Sequence, residues 1–121
     1  MEIGRVALDL INKKLQPNKV VVLLGARRVG KTILIEKVIE NLNEKHLFLN
    51  GDDVESHNLL ETQSTANFNR ILGDTRFLII DEAQEIPNIG KKLKLMVDTI
   101  PNLKVLVTGS SAFEINNQIG E

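Results

Sequence analysis

Residues 20–32 read VVVLLGARRVGKT, and this stretch decides the fold of the chain. The continuous apolar run 20–24 is typical of a strand that is buried on both faces, as in a parallel sheet. Residues 25–32 fit the pattern G-x-x-x-x-G-K-[ST] at every specified position. Apolar residues then recur at helical spacing over 31–43, which predicts an amphipathic helix. A buried strand, a glycine-rich loop and a helix in this order are the context of a phosphate-binding loop.

Each residue type in this loop has a physical reason to be there. Gly25 and Gly30 allow the tight turn that brings backbone N–H groups to phosphates, and the helix N-terminus adds positive potential. Lys31 is expected between the β- and γ-phosphate oxygens. Thr32 Oγ is expected to bind Mg²⁺, a cation that prefers oxygen ligands. The candidate nucleotide-binding residues are Gly25, Ala26, Arg27, Arg28, Val29, Gly30, Lys31, Thr32 and Ile33.

A second apolar run ends in acidic residues. Residues 77–84 read FLIIDEAQ, which predicts a buried strand that runs into Asp81 and Glu82. Asp81 is expected to hold Mg²⁺ through water, and Glu82 to polarise an attacking water as general base. An apolar run followed by Asp-Glu is by itself typical of any strand that leaves a core. The phosphate-binding loop upstream favours the catalytic interpretation.

A further predicted strand, 105–107, is followed by Thr108, Gly109 and Ser110. Thr108 and Ser110 are candidates for a hydrogen bond to the γ-phosphate or to the attacking water, and a plain Gly-Ser turn is the alternative. Arg27 and Arg28 also leave alternatives open. They suit contacts to phosphate, to a neighbouring subunit or to nucleic acid, and they suit solvated loop charges equally well.

The remaining pattern sets the fold class. An amphipathic helix is predicted over residues 2–15, a strand over 46–50, a short helix over 65–72 that Gly73 caps, and a helix from Ile89 that Pro101 closes. Residues 51–76 carry no other readable pattern. Because strands and helices alternate, we expect one α/β domain with a mainly parallel sheet of at least four strands.

The segments GARRVGKT, FLIIDEAQ and VLVTGSS together resemble the AAA-type ATPases of the P-loop superfamily. They look most like prokaryotic AAA-domain ATPases that usually continue into a C-terminal domain, and Asp52-Asp53 is also similar to that group. The resemblance implies a three-layer fold with strand order 2-3-4-1, and binding and hydrolysis of ATP with Mg²⁺. Its fifth strand, helical lid and nucleotide-contacting arginine have no counterpart before Glu121. The chain is therefore expected to be an incomplete domain with its first strand at a sheet edge. Its arginine is expected from the missing region, a neighbouring subunit or a partner protein.

Composition excludes several classes of protein. The 121 residues include 15 basic and 16 acidic side chains, which is not the balance of a strongly basic nucleic-acid coat. The absence of cysteine excludes disulfides, thiolate zinc sites and cysteine nucleophiles. The chain has no Trp or Tyr, which argues against a base-stacking platform. No secretory signal is visible, and the run 20–24 is too short to cross a bilayer, so the protein is expected to be soluble and cytoplasmic.

Other interpretations are weighed against the leading one. A nucleotide-binding switch or scaffold without significant turnover is the main alternative, and the acidic box DEAQ also prompts a helicase-type motor. The latter needs a second motor domain, which does not fit in this length. No guanine-reading N-K-x-D sequence is present, so adenine is favoured on resemblance.

The evidence for a metal site near the second predicted strand is weak, and it consists of His46, His57, Asp52 and Asp53. Lys91, Lys92 and Lys94 suit a solvated helix face or a contact to DNA or a partner.

Overall fold

Four parallel strands form a single sheet in the computed structural model, which describes residues 2–25 and 29–109. The strands are β1 Lys19–Leu24, β2 Leu47–Asn50, β3 Phe77–Asp81 and β4 Lys104–Gly109. Their spatial order is β1-β4-β3-β2, and every neighbouring pair is parallel. This is the predicted order 2-3-4-1 read from the opposite edge, so the α/β fold class is confirmed.

Helices cover both faces of the sheet. They are α1 Glu2–Lys14, α2 Val29–Leu42, α3 Val54–Leu59, α4 Thr65–Leu72 and α5 Ile89–Thr99, and a 3₁₀ turn covers Ala83–Glu85. Each connection from one strand to the next contains at least one of these helices, as parallel pairing requires. No helix of the described ranges combines the length and apolar character needed to cross a membrane.

The alternation of side chains along β3 divides the core into two clusters. Phe77 and Ile79 pack with Ile11 of α1, with Leu15 just after that helix, and with Ile35 and Val38 of α2. Leu78 and Ile80 face the opposite layer and pack with residues of α4 and α5, among them Phe68, Leu72, Leu93 and Met96. Because successive side chains of a strand point to opposite faces, a strand between two helical layers must be apolar throughout.

Helix α1 buries Ile11 and not the predicted Leu10. Ile3, Val6 and Leu10 fall at helical spacing in the sequence, with Ile11 as a further candidate, which predicts that Leu10 is buried. The structure buries Ile11 and leaves Leu10 about half exposed, at 52%. Ile11 and Leu15 lie four residues apart, which places them on the same face of a helix, and both join the core cluster beneath α1. The prediction for Leu10 is therefore wrong.

Strand β1 lies at the edge of the described sheet, as predicted. A groove of ≈ 870 Å³ is lined by residues of β1, α1 and α5. Its charged residues are Lys13, Lys14, Lys19, Lys94 and Asp98. An unpaired strand edge exposes backbone donors and acceptors, and lysines at such an edge oppose non-specific strand pairing.

Asn18 fixes the entry to β1. Its backbone is left-handed, with φ 63°, and its Nδ2 donates to the carbonyl oxygens of Val97 and Ile100, each at 2.8 Å. Its Oδ1 accepts from the backbone N–H of Asn102 at 3.2 Å. These bonds connect the start of β1 to the end of α5. Asparagine suits the position because it tolerates the left-handed region and carries both a donor and an acceptor.

Asn18→Ala is expected to lower the free energy of unfolding by about 1–3 kcal/mol, because it removes these hydrogen bonds and strains the backbone. Asn18→Gly removes the same bonds but accepts the positive φ, so it should cost less than the alanine variant. Urea denaturation of the three proteins measures both differences. Equal losses in the two variants would show that the backbone conformation at Asn18 contributes nothing.

Candidate functional site

The carboxyl ends of three neighbouring strands meet at one edge of the sheet. Leu24 of β1 is in register with Gly109 of β4, and the N–H of Gly25 donates to the carbonyl oxygen of Gly109 at 3.1 Å. Asp81 ends β3, the next strand along. In open α/β sheets, ligands bind at this edge, since the loops that follow the strands collect there. The structure thus brings the glycine-rich loop and the acidic strand end together.

Lys31 lies in the first turn of α2, which begins at Val29. Its Nζ is 3.5 Å from the carbonyl oxygens of both Gly25 and Gly109, and its side chain is only 11% exposed. Gly25 has φ 155°, a value that residues with a Cβ rarely adopt. The first turn of a helix has N–H groups without intrahelical partners, and Lys31 belongs to that turn, so this corner of the fold suits an anion.

Glu82 follows β3 in an unusual backbone conformation. Its φ of 52° and ψ of 50° are left-handed, and the residue is 3% exposed. A left-handed residue other than glycine costs about 1–3 kcal/mol and persists only where its surroundings hold it. Such conformations concentrate at functional sites. Here the strained turn directs the chain away from the sheet immediately after Asp81.

The hydroxyl of Thr108 connects the two acidic residues. The backbone N–H of Glu82 donates to Thr108 Oγ1 at 3.1 Å, and that hydroxyl in turn donates to Asp81 Oδ1. Thr108 is completely buried in β4. The Thr108 hydroxyl therefore accepts one hydrogen bond and donates another within the protein. These two bonds fix the end of β3 against β4.

Lys31 and Glu82 form an ion pair across the site. Lys31 Nζ lies 3.5 Å from Glu82 Oε2, and the two side chains are 11% and 4% exposed. Buried charges are strongly destabilising when one partner is removed, because the other is left uncompensated. The candidate phosphate-binding lysine and the candidate base are therefore neighbours in this site.

Gly51 lies against the backbone of the acidic residues. Its N–H donates to the carbonyl oxygen of Asp81 at 2.7 Å, and a Cβ at this position would lie 1.9 Å from the carbonyl oxygen of Glu82. The Nε2 of His57 is 2.6 Å from the carbonyl oxygen of Gly51. Only glycine permits this approach, so the loop after β2 helps to set the position of Glu82.

Gly51→Ala is expected to destabilise the fold by about 1–3 kcal/mol through overpacking, and to displace Glu82. Gly73→Ala is a matched control. Gly73 has a positive φ, 56°, which Gly51 does not share, but no atom lies within 4 Å of a Cβ at this position. The amide NMR signals of Glu82 and Thr108 should move in Gly51→Ala and stay in place in Gly73→Ala. Unmoved signals in both variants would contradict the steric role of Gly51.

The other predicted site residues divide into two groups. Thr32 and Ile33 lie in the first turns of α2 and are exposed, so the Thr32 hydroxyl is accessible beside Lys31. Val29 and Gly30 form the start of the same helix. The predicted residues Ala26, Arg27, Arg28 and Ser110 lie outside the described residues.

The histidines and acidic residues near β2 have structural partners. Asp53 caps α3, since its side chain accepts from the backbone N–H of Glu55 at 3.0 Å. The ring of His46 packs near Phe77, with centroids 6.4 Å apart, whereas His57 contacts Gly51. These contacts agree with the turn chemistry that the sequence favours for this segment.

The lysine cluster of α5 is not one solvated face. Lys91 and Lys94 are exposed, and Lys94 pairs with Asp98 at 3.4 Å. Lys92 is only 5% exposed, so the prediction of a solvated side chain is wrong for this residue. Burial lowers the pKa of the Lys92 ammonium group, and the carboxylate of Glu61 opposes that shift.

Sequence reasoning misses two residues that touch the acidic end of β3. One is Gly51, whose close approach to Glu82 has no local signal in the sequence. The other is Gln84, whose Nε2 donates to Glu82 Oε1 at 2.8 Å. Its position two residues after Glu82 in DEAQ is the one sequence signal that pointed to it.

Comparison with known proteins adds two findings. A family model described as AAA domain matches residues 17–121. An uncharacterized protein of Methanocaldococcus jannaschii is 28% identical to this chain over 112 residues, which are 90% of this chain and 25% of that protein. The chain thus spans about a quarter of the length of this relative.

Proposed function

The chain belongs to the AAA domain family of P-loop ATPases, and on this premise we propose that it binds ATP with Mg²⁺ and hydrolyses the γ-phosphate bond. Family membership supports an AAA-type nucleotide-binding domain. The proposal of hydrolysis rests on one observation. The lysine of the glycine-rich loop and the glutamate after β3 lie 3.5 Å apart at the carboxyl edge of the sheet.

Nucleotide binding follows from the charges at this edge. The N-terminal turn of α2 and the Lys31 ammonium suit the β- and γ-phosphates, because both present N–H donors and positive potential. The Asp81 carboxylate and the Thr32 hydroxyl are the hard oxygen donors that Mg²⁺ prefers. Mg²⁺ held by these two side chains would supply positive charge for the phosphate oxygens. Ala26, Arg27 and Arg28 of the same loop are proposed as further phosphate contacts.

Hydrolysis requires a base near the γ-phosphate. The Glu82 carboxylate lies beside Lys31 at this edge, so it is placed to accept a proton from a water that attacks a phosphate held by the lysine. The water attacks phosphorus in line with the leaving ADP oxygen, and Lys31 stabilises the developing charge. Thr108 holds the backbone of Glu82 and the carboxylate of Asp81 in place. Ser110 is proposed as a contact of the γ-phosphate.

Phosphate release from Mg·ATP tests the hydrolysis directly. The chain should release phosphate over many turnovers, and a chelator in excess over Mg²⁺ should stop the release, since Asp81 and Thr32 then lack the cation that joins them to the phosphates. Release that continues unchanged in the chelator would contradict the proposed role of these two residues.

A nucleotide-binding switch without significant turnover is the second candidate. The ion pair between Lys31 and Glu82 favours it, because that pair engages the candidate base. The number of phosphates released per chain distinguishes the two candidate functions. A switch binds ATP and releases at most one phosphate for each chain, whereas an ATPase continues to release phosphate until ATP is consumed.

The wider setting of the activity is also a proposal. An arginine from a neighbouring subunit or a partner protein is proposed to assist hydrolysis, as the resemblance implies, and the preference for adenine rests on the same resemblance. A cytoplasmic location agrees with the cysteine-free composition. Contact between the exposed Lys91 and Lys94 and DNA stays a weaker prediction from the sequence.

A further inference from the structure

We propose that Gln84 is a positioning residue that holds the carboxylate of Glu82 in the orientation required for water activation. This inference rests on the proposed ATPase function. Gln84 Nε2 donates to Glu82 Oε1 at 2.8 Å, and Lys31 Nζ lies near the other carboxylate oxygen, Oε2, at 3.5 Å. The two oxygens of the carboxylate therefore face two different partners.

The contacts of Gln84 and Lys31 with Glu82 are expected to respond differently when nucleotide binds. Lys31 is expected to move its charge towards phosphate, which weakens its contact with Oε2, the oxygen proposed to accept the proton of the attacking water. The contact from Gln84 to Oε1 does not depend on the lysine, since both residues belong to the turn after β3. Gln84 thus keeps the carboxylate from rotating at the step where Lys31 leaves it.

The orientation of the Gln84 amide follows from the charge of its neighbour. With the amide reversed, Oε1 of Gln84 would face a carboxylate oxygen at 2.8 Å, and two acceptors repel at that distance. Nε2 must therefore point to Glu82. The remaining amide oxygen, Gln84 Oε1, is buried and has no hydrogen-bond partner among the described residues.

This orphaned oxygen is a second observation at the same place. A buried amide oxygen without a partner costs free energy, so it marks a position where an additional donor is stabilising. A water held beside the Glu82 carboxylate supplies such a donor. Gln84 then holds the base with its nitrogen and accepts a hydrogen bond from the water with its oxygen.

Two substitutions separate this role from simple packing. Gln84→Ala removes the contact, and Gln84→Glu keeps the size of the side chain but replaces the donor by a second carboxylate. Both variants should lower kcat roughly tenfold to a hundredfold while KM stays unchanged, since misplaced reacting groups slow chemistry without altering nucleotide contacts. Gln63→Ala, an exposed position in the loop before α4, is the matched control.

The outcomes distinguish failure of this inference from failure of the proposed function. If the unaltered chain turns over ATP and Gln84→Glu does so equally well, Gln84 acts by packing and the inference is overturned. If the unaltered chain releases no phosphate, the ATPase proposal fails instead.

A second measurement tests the contact between Gln84 and Glu82 and does not depend on ATP turnover. The side-chain amide NMR signals of Gln84 should move in Glu82→Ala, whereas those of Gln63 should not. Unmoved Gln84 signals would overturn the inference whatever the activity of the chain.

Discussion

Lys31→Ala should weaken binding of Mg·ATP roughly tenfold to a hundredfold, because a charge-assisted phosphate contact contributes about 1.5–3 kcal/mol. The lysine side chain is nearly buried, so water does not replace the lost interaction efficiently. Competition against a fluorescent ATP analogue measures the change. Lys37→Ala, an exposed lysine of the same helix, should leave the affinity unaltered.

The same variant also removes the ion pair between Lys31 and Glu82, which is expected to destabilise the fold. The double variant Lys31→Ala, Glu82→Gln removes both charges of the pair and should recover part of the melting temperature. It should not recover the affinity for ATP, since the lysine is still absent. If the double variant recovered both its melting temperature and its affinity for ATP, Lys31 would act through folding and would not contact the phosphates.

Glu82→Gln should lower the rate of ATP hydrolysis by a factor of about 10²–10⁴, the usual contribution of a general base. The amide cannot accept a proton from water, although it has nearly the same shape as the carboxylate. Binding of ATP should be retained or become tighter, because Lys31 no longer has to leave an ion pair. Single-turnover phosphate release, measured with the chain in excess over ATP, gives the rate of the chemical step.

Glu36→Gln is the matched control for this substitution, since Glu36 is an exposed residue of α2. It should hydrolyse ATP at the unaltered rate. Hydrolysis by Glu82→Gln at the rate of the control would exclude Glu82 as the base. Loss of ATP binding in Glu82→Gln would show a role in the structure of the site and not in catalysis alone.

Local patterns were sufficient for most of the fold. The helix over 65–72 and its cap at Gly73 appear in the structure with the predicted bounds. Helix α3, Val54–Leu59, was missed because its six residues are mostly polar and too few to show an apolar period. Its one signal is Asp53, which reads equally well as a turn residue or as a helix cap.

The candidate site was predictable only where a motif is contiguous. Lys31, Asp81 and Glu82 come from two short motifs, and the parallel topology brings them together. The Thr108 hydroxyl was predicted to face the γ-phosphate or water, and the structure places it between Asp81 and Glu82. The approach of Gly51 to Glu82 depends on contact between separate loops, which no periodicity in a single sequence records.

Calorimetric titration of the purified chain with Mg·ATP is the most direct test of the nucleotide site. We expect saturable binding of one nucleotide per chain, because the Lys31 ammonium, the first turn of α2 and the Asp81 carboxylate lie at one edge of the sheet. The same titration in Lys31→Ala should show binding at least tenfold weaker. A chain that is folded by circular dichroism but gives no heat of binding with Mg·ATP would contradict the assignment of this edge of the sheet as a nucleotide site.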